Sequence, residues 1–99
     1  MKLLHVHNEA ELELWQTVDY YETKASGLGL DFEHEVRRAF IDIQETPKQW
    51  PIRRNDTRCR MLNRFPYNIY YIEMENIIWV AAIAHMSRQP YYWLDRINK

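Results

Sequence analysis

The chain has 99 residues, of which 46% are hydrophobic and 27% are charged, with a formal net charge of −1. This length and balance indicate one globular domain and exclude a disordered chain. The longest uninterrupted apolar run extends only from residue 77 to residue 84, whereas a membrane-spanning helix needs roughly 20 apolar residues.

The start of the chain predicts a short strand followed by a helix. Leu3, Leu4 and Val6 indicate the strand. Asn8 follows as a candidate N-cap, with Glu11 three residues later as the reciprocal partner of a capping box. Residues suited to a buried face then recur at spacings of three and four, which is typical of one side of a helix: Ala10, Leu14, Thr17, Val18, Tyr21 and Ala25.

A second helix is predicted after the glycines at 27 and 29, which interrupt the first helix. Asp31 is a good N-cap, so we expect the second helix to begin near it. Pro47 and the Trp50-Pro51 step mark its end, because the residue before a proline avoids helical backbone angles. The expected buried face consists of Phe32, Val36, Ala39, Phe40 and Ile43.

After Pro51 the pattern changes to a period of two, which predicts strands. In "RCRML", Arg58 and Arg60 would lie on one face of a strand, with Cys59 on the other. Pro66 precedes a second strand that is rich in β-branched and aromatic residues. This second strand is "YNIYYIEM", and "IIWVAAIAH" is predicted as the next strand.

These elements predict a single domain over residues 1–99 of the α+β class. An N-terminal strand and a two-helix hairpin would pack on a twisted antiparallel sheet of four to five strands. Cys59 is the only cysteine, so an internal disulfide and a cysteine metal cluster are excluded. We therefore expect a reduced, cytoplasmic protein that holds no metal or cofactor and does not bind a membrane.

The two halves of the chain carry opposite charge. Residues 1–49 contain five Lys and Arg against ten Asp and Glu, and residues 50–99 contain eight against four. Arginines are most concentrated between residues 53 and 64. A segregated field of this kind favours an anionic partner, although an ordinary solvated strand face would show the same composition.

Several segments between about Ala10 and Arg96 resemble a known family in their order along the chain. They are "DYYE", "GLGLDFEHEVRRAF", "TPKQWP", "RMLNRFPYNIYY" and "AAIAHMSRQPYYWLDR". The most specific combination is the FPY-like entry to one strand, the A-I-x-H end of the next, and R-x-P-x-Y-W after it. This chain resembles the RelE/ParE superfamily, the toxins of bacterial type II toxin–antitoxin systems, which includes plasmid stabilisation proteins. It looks closer to the ParE-like branch.

The resemblance implies the same two-helix and antiparallel-sheet fold, and it also implies a partner. That partner is a cognate antitoxin whose C-terminal segment is disordered alone and wraps the toxin when bound, often in a hetero-oligomer. The family's targets differ between branches. One branch cuts messenger RNA in the ribosomal A site, another poisons DNA gyrase, and other members are toxic weakly or not at all.

The first hypothesis is a ribosome-dependent, metal-independent endoribonuclease, which needs a base, cations and an acid around the scissile phosphate. The candidate catalytic residues are His85, Arg88, Tyr91 and Tyr92. The ribosome-dependent branch has an arginine after the first tyrosine of the strand that matches "FPYNIYY", where this chain has Asn68. The chain is also slightly acidic, which does not suit docking into ribosomal RNA. The sequence therefore favours binding over catalysis without deciding between them.

Two of the singled-out residues also have structural interpretations. His85 ends an apolar strand, where a histidine often does no more than hydrogen-bond a neighbouring loop. Trp93 is expected to cap the core, with its indole N–H at the rim.

The second hypothesis is a ParE-like toxin that inhibits growth by binding gyrase and trapping it on cleaved DNA. It is favoured because it tolerates Asn68 and the near-neutral charge. The helical hairpin and the segment from Arg88 to Arg96 would then form the contact. The third hypothesis is a degenerate, weakly toxic module that binds an antitoxin and has little activity of its own.

All three hypotheses share a predicted basic groove. Arg58 and Arg60 would project together from one strand face, and Arg88 would lie at the edge. An antitoxin segment that folds on binding would bury apolar anchors in this groove while its acids meet the arginines. The residues expected to bind the antitoxin or the target are Arg58, Arg60, Arg64, Arg88, Trp93 and Arg96.

Overall fold

A computed structural model describes residues 1–97 and contains the predicted elements in the predicted order. The strands are β1 (Leu3–Val6), β2 (Arg58–Met61), β3 (Tyr67–Glu73) and β4 (Ile77–His85), and the helices are α1 (Asn8–Lys24) and α2 (Leu28–Glu45). Short 3₁₀ turns occupy Arg54–Asp56 and Leu94–Arg96. Neither helix in this part of the chain combines the length and the apolar character that crossing a membrane requires.

The four strands form one sheet in the order β1-β4-β3-β2. The β2–β3 and β3–β4 pairs are antiparallel as predicted, but β1 pairs with β4 in parallel, so the sheet is mixed. The reason is the long connection between α2 and β2, which brings the chain back along the sheet. β2 therefore starts in the same direction as β1, and β4, two antiparallel steps later, shares that direction.

The predicted faces of the strands are confirmed. Arg58 and Arg60 pair with Tyr71 and Ile69, and Cys59 pairs with Tyr70 on the opposite face. The helices cover the first face and form the main core. Its buried residues are Ala10, Leu14, Phe32, Val36, Ala39, Phe40, Ile43, Leu62, Phe65, Ile69, Tyr71, Ile78, Val80 and Ile83.

The N-cap of α1 is His7 and not Asn8. The Nδ1 atom of His7 accepts the Glu9 N–H at 3.0 Å, which satisfies one of the free donors of the first turn. An imidazole nitrogen can accept this bond as a hydroxyl or carboxylate would. The capping box with Glu11 therefore does not form.

The start of α2 is also earlier than predicted, at Leu28 and not near Asp31. Its first turn is capped from α1, because the Glu22 carboxylate accepts the N–H groups of Gly27 at 2.8 Å and Gly29 at 3.0 Å. A local pattern cannot reveal a cap that comes from another helix. The end of α2 at Glu45, before Pro47, is as predicted.

Gly29 permits close contact between the two helices, because a Cβ atom at this position would overlap the Val18 carbonyl oxygen. We expect Gly29→Ala to lower the free energy of unfolding by about 1–3 kcal/mol, which is typical of overpacking. Gly27→Asn is the matched control, since asparagine tolerates the left-handed backbone there (φ 85°) and no atom lies within 4 Å of the new Cβ. Equal urea midpoints for the two variants would contradict this packing role.

Candidate functional site

The segment after β4 crosses the sheet face opposite the helices. Trp93 in this segment is only 1% exposed, and its ring lies 4.7 Å from the Tyr70 ring. A bulge between Tyr70 and Tyr71 shifts the register, so that Ala81 and Ala82 both pack on the Trp93 side. Two small side chains in succession make room for the indole. The prediction that Trp93 caps the core is confirmed.

The four candidate catalytic residues lie together at the end of β4. His85, Arg88, Tyr91 and Tyr92 line one cavity of about 70 Å³ and are called the tail site below. Trp93 lines the same cavity. His85 and Arg88 also border a second cavity of about 210 Å³, which reaches Glu13 on α1.

His85 is held in one tautomer by the turn that follows it. Its Nδ1 atom accepts the Ser87 N–H at 2.9 Å and lies 2.8 Å from the Ser87 hydroxyl. The proton of a neutral imidazole in this arrangement belongs on Nε2, which is then a hydrogen-bond donor. The predicted hydrogen bond to a neighbouring loop is confirmed. The ring also makes an edge contact with Tyr67, with centroids 5.0 Å apart.

The Tyr92 side chain is held by a hydrogen bond to α1. Its hydroxyl donates a hydrogen bond to the Glu13 carboxylate at 2.5 Å. Burial, reinforced by the Glu13 carboxylate, raises the pKa of Tyr92 far above its ordinary value. The Arg88 guanidinium lies 3.9 Å from the centre of the Tyr92 ring, which is a cation–π contact. Tyr92 therefore positions Arg88 and is a poor source or acceptor of a proton.

Tyr91 has a strained backbone, with φ at 63°. A bulky residue in the left-handed region costs on the order of 1–3 kcal/mol, and such strain concentrates at functional sites. The Arg54 guanidinium lies 5.2 Å from the centre of the Tyr91 ring. Arg54 comes from the 3₁₀ turn before β2, so two distant segments meet at the tail site.

Glu13 ties α1, β4 and the C-terminal segment together. Its carboxylate receives two hydrogen bonds from the Arg96 guanidinium, at 2.9 and 3.0 Å, besides the one from Tyr92. It also accepts the Ile83 N–H at 3.0 Å, beyond the point where β1 stops pairing with β4. Arg96 donates to the Ala81 carbonyl at 3.0 Å as well. The side chains of Glu13 and Arg96 thus hydrogen-bond the β4 backbone groups that would have paired with β1 if that strand were longer.

The predicted open groove of Arg58 and Arg60 does not form. The two residues share a strand face, but this face is the one that the helices cover. Arg60 is 9% exposed and donates to the Asp42 carboxylate of α2 at 2.7 Å. Arg58 donates to the Trp50 carbonyl at 2.5 Å.

The other predicted binding residues are divided between different places. Arg64 pairs with Asp31 at 3.4 Å on the surface, and Arg96 is held by Glu13. Arg88 belongs to the tail site, and Trp93 lies beneath it as a buried cap. The prediction that these guanidinium groups gather in one groove is wrong. A role of any of them in binding an antitoxin or a target stays a prediction.

Two arginines at the tail site, Arg54 and Arg88, have no ion pair within residues 1–97. Burial raises the pKa of Tyr70, and the hydrogen bond from Asn68 opposes that shift. The turn before β2 and the end of β4 thus each bring an arginine without an ion pair in this part of the chain to the tail site.

Comparison with known proteins identifies the fold. No protein-family model matches the chain, and no curated protein matches it. Among solved structures, a chain of "Chromosomal ParDE TA system from P. aeruginosa" matches with a TM-score of 0.74 and 19% identity, over 86% of this chain and 96% of that one. This chain has a ParE-like fold. The predicted RelE/ParE-like architecture of strand, helical hairpin and sheet is therefore confirmed.

Within this ParE-like fold, sequence reasoning missed two residues of the site. Arg54 belonged to a segment rich in arginine, but its position gave no sign that it would stack on Tyr91. Glu13 was not among the residues of the predicted buried face of α1. Its partner Arg96 is 83 residues away, so no local signal could have identified the pair.

Proposed function

We propose that this chain is the toxin of a type II toxin–antitoxin module and that a cognate antitoxin neutralises it. The ParE-like fold supports this role, because the matched structure is of a ParDE toxin–antitoxin system. In this function the protein acts in the cytoplasm, inhibits growth when free, and forms a hetero-oligomer with an antitoxin whose C-terminal segment folds on binding. Stabilisation of a plasmid or chromosomal region would follow from that pairing.

The proposed mode of action is binding of an essential macromolecule, with DNA gyrase as the favoured target. The observation that carries this choice is the pair of arginines on tyrosine rings at the tail site. Arg54 and Arg88 have no carboxylate partner within residues 1–97 and are preoriented by Tyr91 and Tyr92. Preoriented cations lose little conformational entropy on binding, which suits an anionic surface such as an enzyme–DNA complex.

A ribosome-dependent endoribonuclease is the second candidate, and one observation favours it. His85, Arg88, Tyr91 and Tyr92 line a single cavity, as such a site would require. The contacts favour binding over catalysis, because His85 Nδ1 is occupied and the Tyr92 hydroxyl donates to Glu13. Asn68, in place of an arginine, donates to the Tyr70 hydroxyl at 3.3 Å and adds no charge for a phosphorane.

Induction of the protein in bacteria that lack an antitoxin tests the proposal. We expect growth arrest and accumulation of gyrase–DNA cleavage complexes, with messenger RNA intact. The double variant Arg54→Glu/Arg88→Glu should lose the arrest, because each reversed charge should weaken target binding at least about tenfold, or about 1.4 kcal/mol. Lys48→Glu is the matched control, since this exposed lysine lies outside the helical hairpin and beside Glu73, at the opposite end of β3 from His85.

Each alternative function gives a different outcome in the same experiment. Cuts at ribosomal A-site codons that disappear in His85→Ala would establish the nuclease in place of gyrase binding. Arrest that persists in the Arg54→Glu/Arg88→Glu variant would remove the tail site from the contact. Normal growth with the wild-type protein, together with antitoxin binding, would identify a degenerate module.

A further inference from the structure

Two histidines accept a backbone N–H in the same way, and each bond requires an unprotonated ring nitrogen. The Nδ1 atom of His7 accepts the N–H of Glu9 at 3.0 Å, and the Nδ1 atom of His85 accepts the N–H of Ser87 at 2.9 Å. A protonated imidazole carries a hydrogen on both nitrogens and can accept neither bond. Both rings are only half-buried, so protons from the solvent reach them.

These two histidines lie at opposite ends of the C-terminal segment, residues 86–97. His85 directly precedes the segment, and its bond shapes the first turn, in which the Arg88 N–H also donates to the His85 carbonyl at 3.0 Å. His7 lines an open groove of about 440 Å³ together with Arg96, near the other end of the segment. Protonation of the two rings therefore acts on both ends of one segment.

A proton on His85 would add a positive charge where Arg88 already lies. Both residues line the tail-site cavity and the larger cavity beside it. The other titratable groups that line these two cavities are Glu13 from α1, Tyr67 from β3, and Tyr91 and Tyr92 from the segment. Glu13 is the one acid among them, and its carboxylate already pairs with Arg96 at 2.9 Å. Protonation of His85 therefore increases an excess of positive charge.

Protonation of His7 is unfavourable for a related reason. The groups that face this ring are the Trp79 ring of β4 at 5.3 Å, His5 and Arg96 in the shared groove, and Glu9 in the first turn of α1. A positive charge at the N-terminus of a helix is opposed by the helix dipole. Loss of the cap also frees the first turn, in which the Glu9 carboxylate lies 3.7 Å from Nε of Arg96.

We propose that acid loosens the C-terminal segment through protonation of His7 and His85. Near neutral pH both rings accept their N–H groups, and the segment lies closed on the sheet. As the pH falls through the range in which histidine side chains titrate, both bonds are lost, and the stability that they contribute to the closed segment is lost with them. The inference concerns the segment itself and holds whatever the target of the tail site is.

The segment is poised for such a change, and the tail site would change with it. The backbone of Tyr91 is strained, with φ at 63°, and opening of the segment relieves this strain. The ring that orients the Arg88 guanidinium is that of Tyr92, which belongs to the same segment. The tail site is therefore assembled at neutral pH and opened by acid.

Amide hydrogen exchange as a function of pH tests this proposal. Between about pH 7.5 and about pH 5, protection factors in residues 86–97 and in the first turn of α1 should fall at least about fivefold, while those of the buried face of α2 stay constant. The double variant His7→Asn/His85→Asn should lose this pH dependence, because an asparagine oxygen accepts the N–H two residues on and does not titrate. His5→Asn, at an exposed histidine of β1, is the matched control and should keep it.

Constant protection of residues 86–97 across this pH range in the wild-type protein would overturn the proposal. A pH dependence that persists in the double asparagine variant would also overturn it and would assign the effect to the Glu9 and Glu13 carboxylates. The wild-type protein gives a second measurement that does not require the variant to fold. In a nuclear magnetic resonance titration, the amide signals of Glu9 and Ser87 should move in step with protonation of the two rings, and amide signals that stay fixed would contradict the proposal.

Discussion

Replacing Glu13 by alanine should lower the free energy of unfolding by about 3–5 kcal/mol, the usual cost of removing one partner of a buried ion pair. The side chains of Glu13 and Arg96 are only 14% and 10% exposed. Without Glu13, the Arg96 charge loses its strongest partner, and the Tyr92 hydroxyl and Ile83 N–H lose their acceptor. Urea unfolding monitored by circular dichroism measures the loss.

The control for this prediction is Glu11→Ala on the same helix. Glu11 is exposed and has no ion pair within residues 1–97, so its removal should change stability by no more than about 0.5 kcal/mol. A double variant of Glu13→Ala with Arg96→Ala should lose less than the sum of the single losses, because neither charge is then left alone. Strict additivity, or a Glu13→Ala effect as small as that of Glu11→Ala, would show that the network contributes little.

Trp93→Ala should also destabilise the protein by about 3–5 kcal/mol, the usual loss for a buried aromatic residue. Trp93 is 1% exposed and contacts the rings of Tyr70 and Tyr91. Its removal leaves a void over Ala81 and Ala82, which are too small to fill it. We therefore expect faster amide hydrogen exchange in residues 86–97 together with the lower urea midpoint.

Trp15→Ala is the matched control for the Trp93 variant. It removes the same side chain from a position that is 39% exposed on α1, so the stability loss should be much smaller. If the two tryptophan variants unfold at the same urea concentration, the C-terminal segment is not anchored through Trp93. If the proposed growth arrest is also lost in Trp93→Ala, the tail site depends on that anchor.

The two faces of the sheet are covered by different parts of the chain. The helical hairpin lies on one face. The C-terminal segment lies on the other face and presents Arg88, next to Arg54 from the turn before β2. Glu13 reaches past the end of β1 to connect the two layers through Arg96. The protein therefore presents a different surface on each side of its sheet.

Much of the fold could be predicted because hydrophobic periodicity is a local property. The apolar stripe from Phe32 to Ile43 identified α2, and the alternation of Arg58 and Cys59 identified the faces of β2. The parallel pairing of β1 with β4 was not predicted. It depends on how the connection after α2 returns along the sheet, and residue patterns do not record that path.

The candidate site was predicted only in part, because residue patterns show which side chains are close along the chain but not which distant segments meet. Four of its residues lie between positions 85 and 92, so the segment that follows β4 brings them together: His85, Arg88, Tyr91 and Tyr92. The arginines of β2 were assigned to an open groove because alternation shows which residues share a face, but not what covers that face.

The sequence by itself determined the order of the elements, the buried stripe of each helix and the resemblance to RelE/ParE toxins, since all of these depend on neighbouring residues. Only the tertiary structure decided which charged side chains form ion pairs and which do not. Arg60 meets Asp42 across 18 positions and Arg96 meets Glu13 across 83. A charge is neutralised by whatever lies within a few ångströms of it, and chain folding decides those neighbours.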